Sequence, residues 1–431
     1  MNGLEMVIRG GTVVDPSQNI DGIFDVLVAE GKIARIAQNI EAEGRQIIDA
    51  AGKVVVPGFI DLHTHLRQPG GEAKETVLTG SRAAAAGGYT GITALPNTRP
   101  VIDNAQMVAR QNELAAKANL VRVWPVGAVT KGSEGSELAE IGGMVKQGAR
   151  AITDDGRGVP DARLLRNAML YCRELDIPLF EHCEEEALAG NGQLHEGVVS
   201  ARLGLQGMPA AAETVMLARD LVLAKETGCR IHIMHVSCAE TVEMIRKAKK
   251  EGIPVTAEVT PHHLLLTDEA VEGYNTNAKM KPPLRTAEDV AAVRMGLADG
   301  TIDAVGTDHA PHTESEKGND FISAPFGIVG LETAFPLLYT HLVRPGVISL
   351  SQLVERMSWR PAAILGVPHG TLKPGGAADL AIIDTQQEQI IEKERFYSKG
   401  KNTPFDRWPV TGIPVLTMVA GTVVMRDGKV E

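Results

Sequence analysis

The chain is poor in several things that would each name a function class. It has four cysteines in 431 residues, Cys172, Cys183, Cys229 and Cys238, and no two stand at CxxC spacing. That excludes a thiol-rich zinc knot and a thioredoxin-type pair, and it suits a reducing cytoplasm. Aromatic residues are only 4%, too few for base-stacking platforms. Positive charge is in deficit: Lys and Arg total 43 against 54 Asp and Glu, a net −11. Such a balance opposes nucleic-acid and anionic-membrane partners. No apolar run approaches the roughly 18 residues of a membrane helix, and the first 15 residues lack a signal-peptide core. Neither GxGxxG nor GxxxxGK[ST] occurs, so a doubly wound nucleotide fold, the competing architecture, lacks its phosphate loop. With 44% hydrophobic and 23% charged residues, the expectation is a soluble cytoplasmic enzyme acting on a small molecule.

What is present has a clear order. Residues 1–57 read as short strands with glycine turns, and the last 60 or so residues have the same texture. Between them, apolar strand-like runs alternate with helical patterns. The runs are 58–63, 91–95, 121–126, 149–153, 177–182, 230–236, 254–260 and 302–308. The helices are expected over 76–86, 105–118, 162–174, 211–227, 239–251 and 287–298. Eight strand–helix steps predict an α/β fold, a (β/α)8 TIM barrel at residues 58–370. The two flanks, 1–57 and 371–431, are expected to meet in one small sheet domain.

Polar residues gather where barrel strands end, which is where barrel enzymes hold their chemistry. The first run closes on His63-Thr64-His65, and residues two apart in a strand share a face. The fourth closes on Asp154-Asp155, the fifth on Glu181-His182, the sixth on His235 and the eighth on Asp308-His309. Imidazoles and carboxylates without thiolate suit zinc, with manganese or iron as alternatives. Six such groups exceed one tetrahedral site and suit two metals about 3.5 Å apart, sharing a carboxylate. Other residues read as bland. His262-His263 reads as supporting packing, His232 faces the other side of its strand, and Glu184–Glu186 reads as a solvated helix start.

The run Phe59-Ile60-Asp61-Leu62-His63-Thr64-His65-Leu66-Arg67, then Pro69-Gly70-Gly71, resembles the signature of cyclic amidohydrolases. Ala94-Leu95-Pro96-Asn97-Thr98, Gly306-Thr307-Asp308-His309-Ala310-Pro311-His312 and Ala324-Pro325-Phe326-Gly327 narrow the resemblance to type I bacterial dihydroorotases. It covers nearly the whole chain, and it implies a distorted (β/α)8 TIM barrel with a small β-sandwich built from both termini. The resemblance implies two zinc ions. His63, His65 and Asp308 would hold one, His182 and His235 the other, and Asp155 would bridge them. Asp154 stays open as the alternative bridge, since neighbouring carboxylates on a strand face opposite ways. Related hydantoinases and allantoinases bridge their metals with a carboxylated lysine, but no lysine occurs between Lys146 and Lys225.

The same resemblance implies hydrolysis and re-formation of the dihydroorotate ring, with Asp308 moving the proton. His65, Arg67, Asn97, Lys281, His312, Phe326 and Gly327 would line the substrate site. Many relatives carry asparagine where this chain has Lys281, so Lys281 is left with two readings, a substrate contact or a turn to solvent. Thr313–Ala324 is the candidate mobile segment. A homodimer is the family expectation, with or without aspartate transcarbamoylase as a partner. Two other functions stay open: another cyclic amidase such as an allantoinase, and a non-catalytic scaffold of the transcarbamoylase.

Overall fold

The computed structural model describes residues 5–431, so residues 1–4 of the expected segment 1–57 lie outside the described residues. Two sets of parallel strands make the central ring. Phe59–Asp61, Tyr89–Ala94 and Arg122–Pro125 pair in order, as do Leu179–Glu181, Ile231–Ile233, Val255–Val259 and Ala304–Val305. Single parallel bridges join the sets. Ile152 bridges Gly127 on one side and Leu179 on the other, and Thr64 bridges His309. The ring is therefore an eight-membered parallel barrel with sequential strands, as the alternation predicts.

The fourth and eighth strands are shorter than expected. The run 149–153 is reduced to bridges at Ile152, and 302–308 to Ala304–Val305 plus the bridge at His309. Beside the fourth strand, the Asp154 carboxylate accepts the Val129 and Thr130 N–H groups in place of a longer ladder. A cluster drawn from around the ring, including Ile60, Leu62, Leu95, Val126, Phe180, Met234 and Ala304, fills the interior.

The helices start and stop where their caps stand. Asn104 accepts the Met107 N–H and opens Ala105–Ala118, which ends at Asn119 with φ 46°. Thr286 and Asp289 form a capping box for Ala287–Asp299, closed by Gly300 at φ 86°. No helix among the described residues is long and apolar enough to cross a membrane.

Both ends of the chain enter one nine-stranded sheet. Leu380–Ile390 pairs antiparallel with Val54–Pro57, which lies beside Met6–Asp15. Ile8, Val13, Val26, Val55, Leu380 and Met418 are in its core. Leu380–Ile390 also pairs antiparallel with Pro409–Val419; the ladder breaks after Asp384, whose carboxylate accepts the Gln386 and Gln387 N–H groups, and resumes at Glu388.

Asp379 fastens this sheet to the barrel. Its carboxylate accepts from Arg122 Nε at 2.9 Å and Nη2 at 3.1 Å, and from the Ala420 N–H at 2.7 Å. His369 Nδ1 lies 2.9 Å away. Burial opposes ionisation of Asp379, but His369 and Arg122 outweigh it and hold the carboxyl below its usual range. Asp379→Ala should therefore destabilise the protein by roughly 2–3 kcal/mol, less than for a fully buried pair because Arg122 keeps water contact. The shift in urea midpoint measures this. A group with a depressed native value contributes fully at neutral pH and loses its contribution as pH falls through that value. The gap between wild type and variant should accordingly narrow in acid.

Candidate functional site

The strand ends bring the expected residues together at one mouth. Asp155 is the centre. Its Oδ2 lies 3.3 Å from His65 Nε2 and 3.5 Å from His63 Nε2. Its Oδ1 lies 3.3 Å from His182 Nδ1 and 3.6 Å from His235 Nε2. Two groups of candidate ligands result, His63–His65–Asp155 and Asp155–His182–His235, each with its ligand atoms within 4.8 Å of one another. Asp308 flanks the first group, with Oδ1 3.0 Å from His65 Nε2 and 3.3 Å from His63 Nε2. Asp154 turns away. It accepts from the Val129 and Thr130 N–H groups and the Thr130 hydroxyl. The structure thus places Asp155, and not Asp154, between the two histidine pairs.

The donor atoms suit divalent metal. His63 Nδ1 donates to Glu258 Oε1 at 2.6 Å, and His65 Nδ1 donates to Asn97 Oδ1 at 2.9 Å. Both rings therefore keep the Nε2 lone pair for the centre. Buried His63 Nε2 has no hydrogen-bond partner, an orphan that a metal would satisfy. Burial pushes Asp155 and Asp308 up, but the surrounding histidines, His63 above all, outweigh it. Both carboxyls are held below the usual range. Two buried carboxylates beside shared imidazoles call for a cation.

Backbone strain concentrates here. Arg67, His235 and Asp308 have φ of 58°, 34° and 47°, in the left-handed region that side chains avoid. Asp61 helps hold the eighth strand in place. It accepts from the His63 N–H, the Thr307 N–H and the Thr307 hydroxyl, and burial pushes its carboxyl up to about 7.

On the substrate side, Arg67 Nε donates to the Pro311 carbonyl at 3.3 Å. His312 Nε2 lies 2.9 Å from the Phe326 carbonyl, which only accepts, so the ring proton sits on Nε2. Burial, with Arg67, Lys74 and Lys317 nearby, pushes His312 down to about 3, which keeps the ring neutral. Asn97 presents its oxygen to His65, leaving its NH2 group for other acceptors.

The Lys281 ammonium is paired with Glu184 Oε1 at 2.6 Å, and its side chain is partly exposed. Glu184 is buried rather than solvated, and its other oxygen lies 3.6 Å from His182 Nε2. The Phe326 carbonyl is taken by His312, and the Gly327 N–H donates to the Lys279 carbonyl at 2.9 Å. Glycine is needed at 327 for packing, since φ is 117° and a Cβ would meet the Ala310 Cβ at 2.6 Å. The segment 313–324 is clamped. Lys279 Nζ donates to the carbonyls of Phe321, Ile322 and Ala324, and Lys317 Nζ to that of Pro325.

Sequence reasoning missed Glu258, which also faces His232 Nε2 at 3.2 Å and so ties that histidine to the centre. A lone carboxylate inside the apolar strand Val255–Val259 was the available signal. His263 is a supporting residue, bonded to Thr260 and to the Pro282 carbonyl, whereas buried His262 Nε2 has no partner.

Known proteins resemble this chain closely. Residues 52–241 match the family model described as dihydro-orotase-like. A dihydroorotase of Pelotomaculum thermopropionicum is 52% identical over 98% of this chain and 99% of the relative. One from a Thermoanaerobacter species is 48% identical over 99% of each. Among solved structures, the L-hydantoinase (dihydropyrimidinase) of Arthrobacter aurescens superposes with a TM-score of 0.89. It is 30% identical and covers 100% of this chain and 98% of its own.

Glu258 serves two imidazoles with one carboxylate, and an amide in its place accepts from only one. Glu258→Gln should weaken divalent-metal binding about 10- to 100-fold, measured by competition with a chelating dye. Undiminished affinity would refute the link from Glu258 through His63 to the metal.

Proposed function

The chain belongs to the dihydroorotase family, and from that premise we propose that its mouth is a two-zinc centre of the type I class, bridged by Asp155. It is a cyclic amide hydrolase that interconverts dihydroorotate and N-carbamoyl-L-aspartate, the third step of de novo pyrimidine synthesis. The observation that carries the metal reading is Asp155, whose two oxygens divide between two histidine pairs.

His63, His65 and Asp308 would hold one zinc, and His182 and His235 the other. When bound, the metals supply an acidified water and an electrophile for the scissile carbonyl. Asp308 is ionised at neutral pH, takes the proton of the attacking water, and returns it to the ring nitrogen as the C–N bond breaks. Arg67, the Asn97 NH2 group and the neutral His312 Nε2–H, which the Phe326 carbonyl shares, bind the substrate carboxylate and set its orientation before reaction. His65 borders the same space, and the side chain of Phe326 forms its wall. Lys281 stays with Glu184 and supports His182 from behind.

The same reading makes the protein a cytoplasmic homodimer, with residues 1–57 and 371–431 as a composite sandwich that supports the barrel. A scaffold role is disfavoured because all six ligand positions carry metal-binding residues. An allantoinase is disfavoured by the absence of lysine from 147 to 224.

The purified chain should open the dihydroorotate ring, lose that activity to a chelator and regain it with zinc. Inactivity with two zinc ions bound would overturn the reading. Asp308→Asn should lower kcat by about 10²–10⁴-fold in both directions. Zinc content should stay measurable by atomic emission. A smaller loss would free Asp308 from the proton role. Ring opening creates a carboxylate and releases a proton, so the equilibrium should move toward the ring as pH falls, followed by absorbance of the ring.

A further inference from the structure

The segment Lys399-Gly400-Lys401-Asn402-Thr403-Pro404-Phe405 reads in sequence only as a loop between barrel and sheet. In the fold it reaches the mouth. Asn402 is 4% exposed and its carboxamide is fully engaged. Its Oδ1 accepts the His312 N–H at 3.0 Å. Its Nδ2 donates to the carbonyls of Ala310 and Gly327, both at 3.0 Å. Its backbone carbonyl accepts from the Val329 N–H at 2.9 Å. One carboxamide therefore joins the turn after the eighth strand to the loop that carries Phe326. His312 is fixed twice, its backbone by Asn402 and its ring by the Phe326 carbonyl.

The chemistry requires an amide on a short arm. One acceptor and two donors are needed at a single side-chain end, and asparagine supplies them. Aspartate has no donor and would set a charge against two carbonyl oxygens. Alanine would leave the buried His312 N–H and two carbonyls unpaired.

The segment is itself held rigidly. Glu75 accepts from the Ser398 hydroxyl at 2.5 Å, and Glu332 accepts from the Tyr397 and Ser398 N–H groups at 2.8 and 3.1 Å. Lys401 Nζ closes on the carbonyls of Phe396 and Ser398. Gly400 lies against Pro311, where a Cβ would fall 2.6 Å from the proline Cβ. Pro311 in turn accepts from Arg67 Nε. The segment thus backs both Pro311 and His312, the two points from which the carboxylate-binding end of the site is built.

We propose that Asn402 is a positioning residue for substrate, acting through His312 from a segment outside the barrel. The inference rests on the carboxylate-binding role given to His312 above. Misplacement of a binding group by about 1 Å costs up to about 100-fold, and truncation of a buried hydrogen-bonding group costs about 5- to 150-fold.

The test is a double-mutant cycle on ring opening, with Asn402→Ala, His312→Ala and the pair, all carried out on the full chain with zinc. Asn402→Ala alone should raise the KM for dihydroorotate about 10-fold, with a smaller change in kcat and unchanged zinc content. In the His312→Ala background the same change should cost less than about 2-fold, because its route to substrate is already gone. Costs that multiply would overturn the proposal, since a purely structural role is indifferent to His312. If Asn402→Ala does not fold, Asn402→Ser runs the same cycle. If His312→Ala turns over too slowly, the Kd for N-carbamoyl-L-aspartate by calorimetry replaces KM, with the same two outcomes. A wild-type chain that fails to open the ring would sink the functional reading itself, a result distinct from multiplicative costs in an active enzyme.

Discussion

Asp155 must serve two pairs of imidazoles at once, and the barrel mouth is arranged around that demand. A carboxylate on a short side chain reaches both pairs only if three strand ends converge on it within hydrogen-bond range. A lysine extended by carboxylation would reach from farther away. With aspartate the strand itself must come closer. The fourth strand accordingly gives up its ladder beyond Ile152, and Asp154 replaces the lost strand contacts by capping the Val129 and Thr130 N–H groups. The two adjacent carboxylates divide the work. One rebuilds the backbone so that the other can face the centre.

The cost of that convergence is distributed outward. Buried carboxylates and imidazoles are tolerable only when each is paired. Glu258 takes His63 and His232, Asn97 takes His65, and Glu184 takes His182 while Lys281 neutralises it. Strained backbone at Arg67, His235 and Asp308 persists because these outer contacts over-determine it. Asp61 shows the same logic on the backbone side, spanning the first and eighth strands through three hydrogen bonds. The mouth is held in place by second partners as much as by the groups that would touch metal.

That division explains what could be read from the sequence. Helix positions were legible because caps such as Asn104 and Thr286 are local signals. The candidate ligands were legible because His63, His182, His235 and Asp308 each interrupt an apolar run at its polar end. Glu258 and Glu184 were not, because a single acid carries no spacing, and its partner is chosen by the fold. His63 and Glu258 are separated by 195 positions. The Lys281–Glu184 pair is hidden for the same reason, since nothing near Lys281 in sequence announces Glu184. Local chemistry predicted which residues matter, and long-range pairing decided how each one is used.

The composite sheet then follows from the site as much as from stability. In the turn after the eighth strand, the Ala310 N–H finds the Ile328 carbonyl, but the His312 N–H has its acceptor outside the barrel. The C-terminal segment supplies the receiver, since Asn402 meets the His312 N–H while Glu75 and Glu332 hold the approach to it. That segment leaves from Leu380–Ile390 and returns into Pro409–Val419, and the first of these strands is paired through Leu380–Ile383 with Val54–Pro57, directly before the first barrel strand. The start of the barrel at Phe59 and the segment that reaches His312 are therefore held by neighbouring strands of one sheet.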